Sequence, residues 1–105
     1  MTQTAATIAK QIGHKALYMI GAKTKKMLAF DDGLIMSVGR NSKRINRVKI
    51  TLNAMDTYDV EYWYLAYSLK KMEDKSKLIT QEAGIYADGL LDSIERNTGL
   101  RTSLN

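Results

Sequence analysis

Two neighbouring segments of the sequence, RVKITLN (47–53) and DTYDVEYW (56–63), alternate between apolar and polar residues. A period of two places every second side chain on the same face of a β-strand. We therefore predict two strands that each turn one face to the core and pair as an antiparallel hairpin through a turn at 54–56. The predicted inward positions of this pair are Val48, Ile50, Leu52, Tyr58, Val60 and Tyr62.

The part of the chain before this pair predicts one helix and three strands. Apolar residues recur with helical spacing over 4–12, and Gly13 follows at a position where glycine commonly ends a helix. The short apolar run ALYMI (16–20) predicts a buried strand. Residues 27–38 predict a β-hairpin, because the Asp-Gly step near its centre accepts the positive φ that tight turns require.

The part of the chain after this pair predicts a short strand and a final helix. Residues 64–72 fit either a continued strand or a helix, and KLITQ (77–81) predicts an edge strand. The final helix contains Gly89 and ends at Gly99. Its predicted apolar stripe consists of Ile85, Tyr86, Leu90, Leu91 and Ile94.

Together these elements predict a single α+β domain over residues 1–105, with an N-terminal helix, an antiparallel sheet of about four or five strands and a C-terminal helix. A chain of 105 residues has the length of one domain, and 45% hydrophobic residues are too many for a disordered one. The absence of cysteine excludes disulfides and thiolate metal sites. Since the sequence shows neither a signal peptide nor an apolar run long enough to span a bilayer, we expect a cytoplasmic protein with no membrane partner.

Positive charge is concentrated in one half of the chain. Residues 10–49 contain ten lysines and arginines against two aspartates, whereas residues 50–105 contain six against nine acidic residues. A basic segment favours an anionic partner, and cations close to phosphates add salt-dependent affinity. We therefore predict that loops around 21–26 and 39–49 bind nucleic acid. The candidate residues are Lys23, Lys25, Lys26, Arg40, Lys43, Arg44, Arg47 and Lys49.

Aromatic residues crowd the segment that follows the alternating pair. Such rings offer stacking surfaces to unpaired bases, or anchors to a protein interface. They are too numerous for one face of one element, so we expect some at the surface. Trp63 is the foremost of these, because it continues the outward face of Asp59 and Glu61. The candidates for stacking or for a protein interface are Tyr62, Trp63, Tyr64 and Tyr67.

The sequence offers little for catalysis. Its one histidine, His14, follows the first predicted helix, where a solvated or dipole-facing role is common. GAKT (21–24) lacks the glycines of a phosphate-binding loop. Asp59 and Glu61 share a strand face, but Trp63 stands where a metal-dependent nuclease would carry a lysine, and the two carboxylates are expected to face cations across the hairpin. We predict no enzymatic activity, no catalytic residue, no metal and no cofactor.

Four segments stand out along the chain: YMIGAK (18–23), GLIMSVG (33–39), RVKITLNAMDTYDVEY (47–62) and GIYADGLLDSIERNTGL (84–100). In these segments the chain resembles a family of small uncharacterised accessory proteins of tailed phages and prophages. The resemblance implies a phage protein that acts in the cytoplasm of an infected bacterium, and it carries no functional residues over. The chain departs from the family pattern in the aromatic run 62–69 and at Ile20.

Two other functions fit the same residues. An inhibitor of the anti-restriction or anti-CRISPR type, which docks onto a host protein such as a defence nuclease complex, would use residues 62–72 as an aromatic anchor. A self-associating structural protein would use the same stretch as its homo-oligomer face. Nucleic acid is the leading predicted partner, and a host protein is the second.

Overall fold

A computed structural model describes residues 3–22, 27–68 and 73–102, and describes only the backbone of 67, 68 and 73–75. The elements are α1 (Gln3–Ile12), α2 (His14–Met19), β1 (Leu28–Phe30), β2 (Gly33–Ser37), β3 (Arg47–Leu52), β4 (Tyr58–Ser68), β5 (Glu73–Ile85), a 3-10 turn (Ala87–Gly89) and α3 (Leu90–Thr98). The predicted α+β class is confirmed, with the helices before and after a five-stranded antiparallel sheet.

The sheet is a meander in which each strand pairs antiparallel with the next one along the chain. β3 is its central strand, and Val48 on β3 lies opposite both Met36 of β2 and Tyr62 of β4. The predicted turn at 54–56 joins β3 to β4 and contains Asp56 at φ 60°. β1 and β5 are the edge strands of the sheet.

One face of the sheet packs against the helices and forms the core. The predicted inward face of β3 and β4 is confirmed, although Leu52 is only half-buried. The buried apolar residues are Ala5, Ile8, Ile12, Ala16 and Ile20 from the N-terminal helices and the turn after them, Leu34, Met36, Val38, Ile45, Val48, Ile50, Tyr58, Val60 and Tyr62 from the sheet and its loops, and Leu90 and Ile94 from α3. We call the opposite side the open face; the strand residues Ile35, Arg47, Lys49, Thr51, Glu61 and Trp63 lie on it, and none of them is fully buried.

The strand predicted at 16–20 is wrong, because this segment belongs to α2 and the turn after it. Ala16 and Ile20 are buried, whereas Tyr18 between them is 81% exposed. A strand would have placed all three side chains on one face. A helical turn instead directs Tyr18 into solvent while Ala16 and Ile20, four residues apart, share the inner side.

The hairpin predicted at 27–38 is confirmed as β1 and β2, but the role predicted for its glycine is wrong. Gly33 lies in β2 opposite Phe30, and its φ is not positive. A Cβ at Gly33 would lie 2.2 Å from the backbone oxygen of Ile50 and 2.4 Å from the Phe30 ring. Glycine is therefore required here by the close approach of neighbouring chain segments rather than by the turn.

The last third of the chain differs most from prediction. β5 begins at Glu73 and not at 77, and it continues to Ile85, which was expected in the helix. The register between β4 and β5 shifts where Tyr62 pairs with Thr80 and Trp63 with Leu78, and Gly84 has φ 68°. These irregularities break the period of two that marks a strand. The helix begins only at Leu90, after Gly89.

The sequence of residues 64–72 fits either a strand or a helix. Residues 64–68 continue β4 as far as Ser68, and residues 69–72 lie outside the described part of the chain. Beyond Trp63 this strand pairs with β5 alone, because β3 begins at Arg47 and Arg47 lies opposite Trp63. Residues 64–68 and 73–77 therefore form a two-stranded ribbon that extends past the central strands. We call this ribbon the arm.

Candidate nucleic-acid interface

The predicted basic residues that the structure describes lie at the end of the sheet from which the arm extends. Arg47 and Lys49 are on the open face at the start of β3. The chain between β2 and β3, residues 38–46, forms a loop that we call the basic loop. Its cations Arg40, Lys43 and Arg44 are exposed. The predicted cations Lys23, Lys25 and Lys26 lie outside the described residues.

A single asparagine fixes the conformation of the basic loop. The Asn41 Oδ1 accepts hydrogen bonds from the backbone N–H groups of Lys43 and Ile45, both at 3.1 Å. The Asn41 Nδ2 donates to the backbone oxygens of Gly39 at 3.0 Å and Ile45 at 2.6 Å. Short polar side chains of this kind commonly close turns. The loop also holds Arg44 at φ 62°, so its cations extend from a defined backbone.

A second asparagine joins the end of the basic loop to the arm. The Asn46 Nδ2 donates to the Leu65 backbone oxygen at 2.9 Å, and the Leu65 backbone N–H donates to the Asn46 Oδ1 at 2.8 Å. The backbone N–H of Asn46 also donates to the Trp63 backbone oxygen at 2.9 Å. The Asn46 side-chain amide, just before β3 begins, thus bonds to Leu65 in the way that the backbone of a paired strand residue would. This bonding fixes where the arm leaves the sheet.

On the open face, Trp63 lies beside a shallow cavity of about 280 Å³ that we call the open-face groove. Arg47 is directly opposite Trp63 in the strand register. The Trp63 Nε1 donates to the Glu61 Oε1 at 2.8 Å, which orients the half-buried indole. The groove is lined by Ile35, Arg47, Lys49, Trp63, Leu65 and Ser76, which come from four adjacent strands.

On the other side of β4, Tyr64 lies beside a second and more polar cavity of about 660 Å³, the loop pocket. Tyr64 is 38% exposed, and the basic loop supplies Arg40 and Arg44 to the same pocket. Successive residues of a strand point to opposite faces, which is why Trp63 and Tyr64 are separated. Each of the two aromatic side chains therefore has two arginine or lysine neighbours of its own.

The cations around these two cavities form no ion pair with the described part of the chain. Among the described residues, the ion pairs are those of Arg96 with Glu82 and Asp92. The cations without such a pair include Arg40, Lys43, Arg44, Arg47 and Lys49. Lys49 lies over the ring of Phe30, with its Nζ 5.5 Å from the ring centroid. The positive charge at this end of the sheet thus remains available to an anion.

The prediction that Tyr62 belongs to the binding surface is wrong. Tyr62 is fully buried, and its hydroxyl lies 2.7 Å from the Ser93 Oγ in the packing between β4 and α3. Burial raises the pKa of the Tyr62 hydroxyl, with smaller effects from its hydrogen bonds. Its ring therefore cannot stack on a base. For Tyr67 only the backbone is described, opposite Asp74, so its predicted role stays a prediction.

The network around Ser93 holds α3 on the sheet. The Ser93 Oγ donates to the Glu82 Oε1 at 3.0 Å, and the Arg96 Nη2 donates to both Glu82 oxygens at 2.7 and 2.6 Å. Asn97 donates to the same carboxylate. Partial burial opposes ionisation of Glu82, but the hydrogen bonds from Asn97, Arg96 and Ser93 outweigh it and lower the pKa of this carboxyl. This network is structural, since Tyr62 and Ser93 have no solvent exposure.

The carboxylates considered for a metal site have other partners. The Asp59 Oδ1 accepts hydrogen bonds from the Asn53 Nδ2 at 3.0 Å and from the Gly84 backbone N–H at 3.2 Å. Glu61 lies opposite Lys49 and accepts from the Trp63 indole. Among the side chains that the structure describes, no three histidines, aspartates or glutamates are grouped so that they could hold a metal ion.

Four contributors to the site were missed by the sequence reasoning. Asn41 and Asn46 build the scaffold, while Ile35 and Ser76 line the groove. Two of the four have a signal in the sequence. The alternation of side chains along β2 predicts the outward position of Ile35, and the preference of asparagine for turns indicates a structural role for Asn41. Ser76 could not have been found, because it precedes the strand predicted at 77–81.

No protein-family model matches this chain, and neither the curated proteins nor the solved structures contain a match. In the described part of the chain, every helix is too short or too polar to cross a membrane.

Proposed function

We propose that this chain is a small non-catalytic phage or prophage accessory protein that binds nucleic acid in the cytoplasm of the host. The phage origin rests on the sequence resemblance. The binding function rests on one observation, which is the set of cations on the basic loop and β3. These cations lie beside Trp63 and Tyr64, and no described carboxylate pairs with them.

The arrangement suits phosphates for two physical reasons. Each cation that neutralises a phosphate releases condensed counterions, so that several together give affinity without any base-specific contact. The basic loop is also ordered by Asn41 in advance of binding, so less conformational entropy is lost when its cations engage a ligand. Arg44 on this loop has a planar guanidinium that can bind a phosphate through two hydrogen bonds.

The salt dependence of binding to a fluorescent oligonucleotide tests the proposal. If the five cations of residues 40–49 contact phosphates, the slope of log affinity against log salt should approach −4, at ~0.7–0.9 per neutralised phosphate. The variant Lys43→Ser/Arg44→Asn should make the slope less steep by about 1.4–1.8. Asparagine is chosen for Arg44 because it tolerates the positive φ found there.

The matched control is Lys10→Ser/Lys15→Ser, which removes the same charge from exposed positions on α1 and α2. It should leave the slope nearly unchanged, because net charge alone acts weakly at a distance in salt. A slope near zero for the unmodified protein, or equal losses in the two double variants, would contradict a phosphate site on the basic loop.

A second candidate function is docking onto a host protein, and the apolar character of the open face favours it. Leu28 at one edge of the sheet is 62% exposed, and Leu78 at the other is 38% exposed. Trp63 and Leu65 lie between them on the groove. An apolar surface of this kind with aromatic and arginine residues is typical of protein interfaces, whether with a host protein or with a second copy.

A further inference from the structure

The open-face groove has the size and the chemistry of a site for a single small group. Its volume of about 280 Å³ is just below the range for ligand pockets, ~300–1,000 Å³. Ile35, Trp63 and Leu65 give it apolar walls, and Arg47 and Lys49 stand on the strand between them. A flat apolar group with negative charge beside it would satisfy both parts of this lining.

Trp63 presents an apolar surface to this group. The only polar atom of the indole, Nε1, already donates to Glu61, so ligand binding need not satisfy it. The same hydrogen bond fixes the orientation of the ring before any ligand arrives. An aromatic ring held in this way provides stacking surface at little cost in side-chain entropy.

The two cations of the groove retain donors for phosphate. Arg47 uses Nη1 in a hydrogen bond to the Asn46 backbone oxygen at 2.8 Å, and the rest of its five-donor guanidinium has no described partner. Lys49 extends from the same strand face two residues further on, over Phe30. A phosphate next to a bound base, on the β3 side of the groove, would therefore meet positive charge.

We propose that the open-face groove holds one unpaired base of a single-stranded nucleic acid, stacked on Trp63, with an adjoining phosphate on Arg47 and Lys49. This inference rests on the proposed nucleic-acid function and adds a preference for single strands. A duplex keeps its bases stacked inside, so it cannot offer a base face to Trp63. A nucleic acid is favoured over a peptide because the cations of the groove continue into those of the basic loop.

Three fluorescent DNA oligomers of equal length test the inference: a single strand of thymidines, a duplex, and a single strand of abasic sugars. The thymidine strand and the abasic strand carry the same phosphates and differ only in their bases. We expect the thymidine strand to bind roughly 5- to 150-fold more tightly than the abasic strand, since stacking of one base contributes ~1–3 kcal/mol. Binding of the thymidine strand should also quench the fluorescence of Trp63, which is the only tryptophan.

Three variants assign the effect to the groove. Trp63→Leu should abolish the preference for bases while leaving the salt slope unchanged, and Trp63→Phe should retain part of the preference. Tyr86→Leu changes an exposed aromatic residue that lines neither the groove nor the loop pocket. It is the matched control and should keep the preference. The far-ultraviolet circular dichroism of each variant shows whether it folds. If Trp63→Leu does not fold, Trp63→Phe still tests the inference.

Each outcome separates the inference from the function beneath it. If none of the oligomers binds at about 50 mM salt, both the function and the inference are wrong. If all three bind equally with a steep salt slope, the function stands and the base site is wrong. The base site is also wrong if Trp63→Leu keeps the preference for bases. A change of Trp63 emission on dilution alone would assign the groove to contact with a second copy and overturn the inference.

Discussion

The proposed site depends on the hydrogen bonds between the Asn46 side chain and the arm, and Asn46→Ala tests how much they contribute to stability. The substitution removes two side-chain hydrogen bonds to the Leu65 backbone, at 2.9 and 2.8 Å, and leaves the backbone N–H bond of Asn46 to Trp63 in place. A hydrogen bond contributes a net ~0.5–1.5 kcal/mol to folding, so two predict a loss of about 1–3 kcal/mol. Both bonds are only partly buried, so water can form hydrogen bonds to the Leu65 backbone in the variant. We therefore expect a loss of stability in the lower half of this ~1–3 kcal/mol range.

Urea denaturation measures the loss, and amide hydrogen exchange locates it. The Leu65 amide should exchange faster in Asn46→Ala, because its acceptor has been removed. The Val60 amide, which lies in the centre of the sheet opposite Ile50, should change only as much as global stability does. Gln81→Ala is a suitable control, since Gln81 is an exposed side chain on β5 with no described side-chain hydrogen bond.

Asn46→Asp separates the two bonds. The carboxylate can still accept from the Leu65 N–H, but it faces the Leu65 carbonyl oxygen without a donor and repels it. We expect this variant to be no more stable than Asn46→Ala at neutral pH. A loss below about 0.5 kcal/mol in Asn46→Ala, or native stability in Asn46→Asp, would show that the side-chain amide does not hold the arm.

Two further predictions concern the core and the acid response. Ile50→Ala should destabilise the fold by about 2–5 kcal/mol in urea denaturation, because Ile50 is fully buried. Thr51→Ala on the open face should cost far less, and equal losses in the two variants would contradict this role of Ile50 in the core. Since Glu82 has a lowered pKa in the folded protein, its stabilising contribution is complete above the unfolded pKa of ~4.3 and is lost as the pH falls through the folded value. Glu82→Gln should therefore be less stable than the unmodified protein at neutral pH and should lose less stability on acidification, and equal losses in the two proteins would refute this role of Glu82.

The central hairpin could be predicted because its signal is local and repeated. Two segments with the same period of two fix which side chains point inward, and a short turn leaves one way to pair them. The inward face of Val48 and Tyr62 and the outward position of Trp63 all follow from this alternation. The first helix and its ending at Gly13 were equally accessible, because a full helical period is visible over nine residues.

The missed elements lack such a local signal. The five-residue apolar run 16–20 is too short to distinguish a strand from a helix. The exposure of Tyr18, which is compatible with the helical turn and not with a buried strand, is a property of the folded chain. The full length of β5 is not visible in the sequence for a different reason. Its charged first residues are typical of a loop, and the register shift near Ile79 interrupts the alternation of apolar and polar residues. An edge strand tolerates charge and irregularity because one of its sides meets water.

The candidate site was predictable in its residue types but not in its geometry. The cations and aromatic residues of 40–64 are visible in the sequence, whereas the groove depends on a register that brings Ile35 of β2 and Ser76 of β5 to opposite sides of Arg47 and Trp63. The fixed shape of the basic loop depends on Asn41, whose four hydrogen bonds follow from the folded position of one short side chain.

The alternation that buries Tyr62 also determines what kind of partner can use the whole site. Because Tyr62 points to the core, Trp63 must point to the open face and Tyr64 back toward the helices' side, beside the basic loop. The two aromatic residues and their cations therefore lie on opposite sides of one strand. A rigid duplex approaching from one direction reaches only one of these sides. A flexible single strand that passes around the end of the sheet, over the basic loop, can place phosphates on both sides and a base on Trp63. This is the physical reason to expect the protein to favour unpaired nucleic acid.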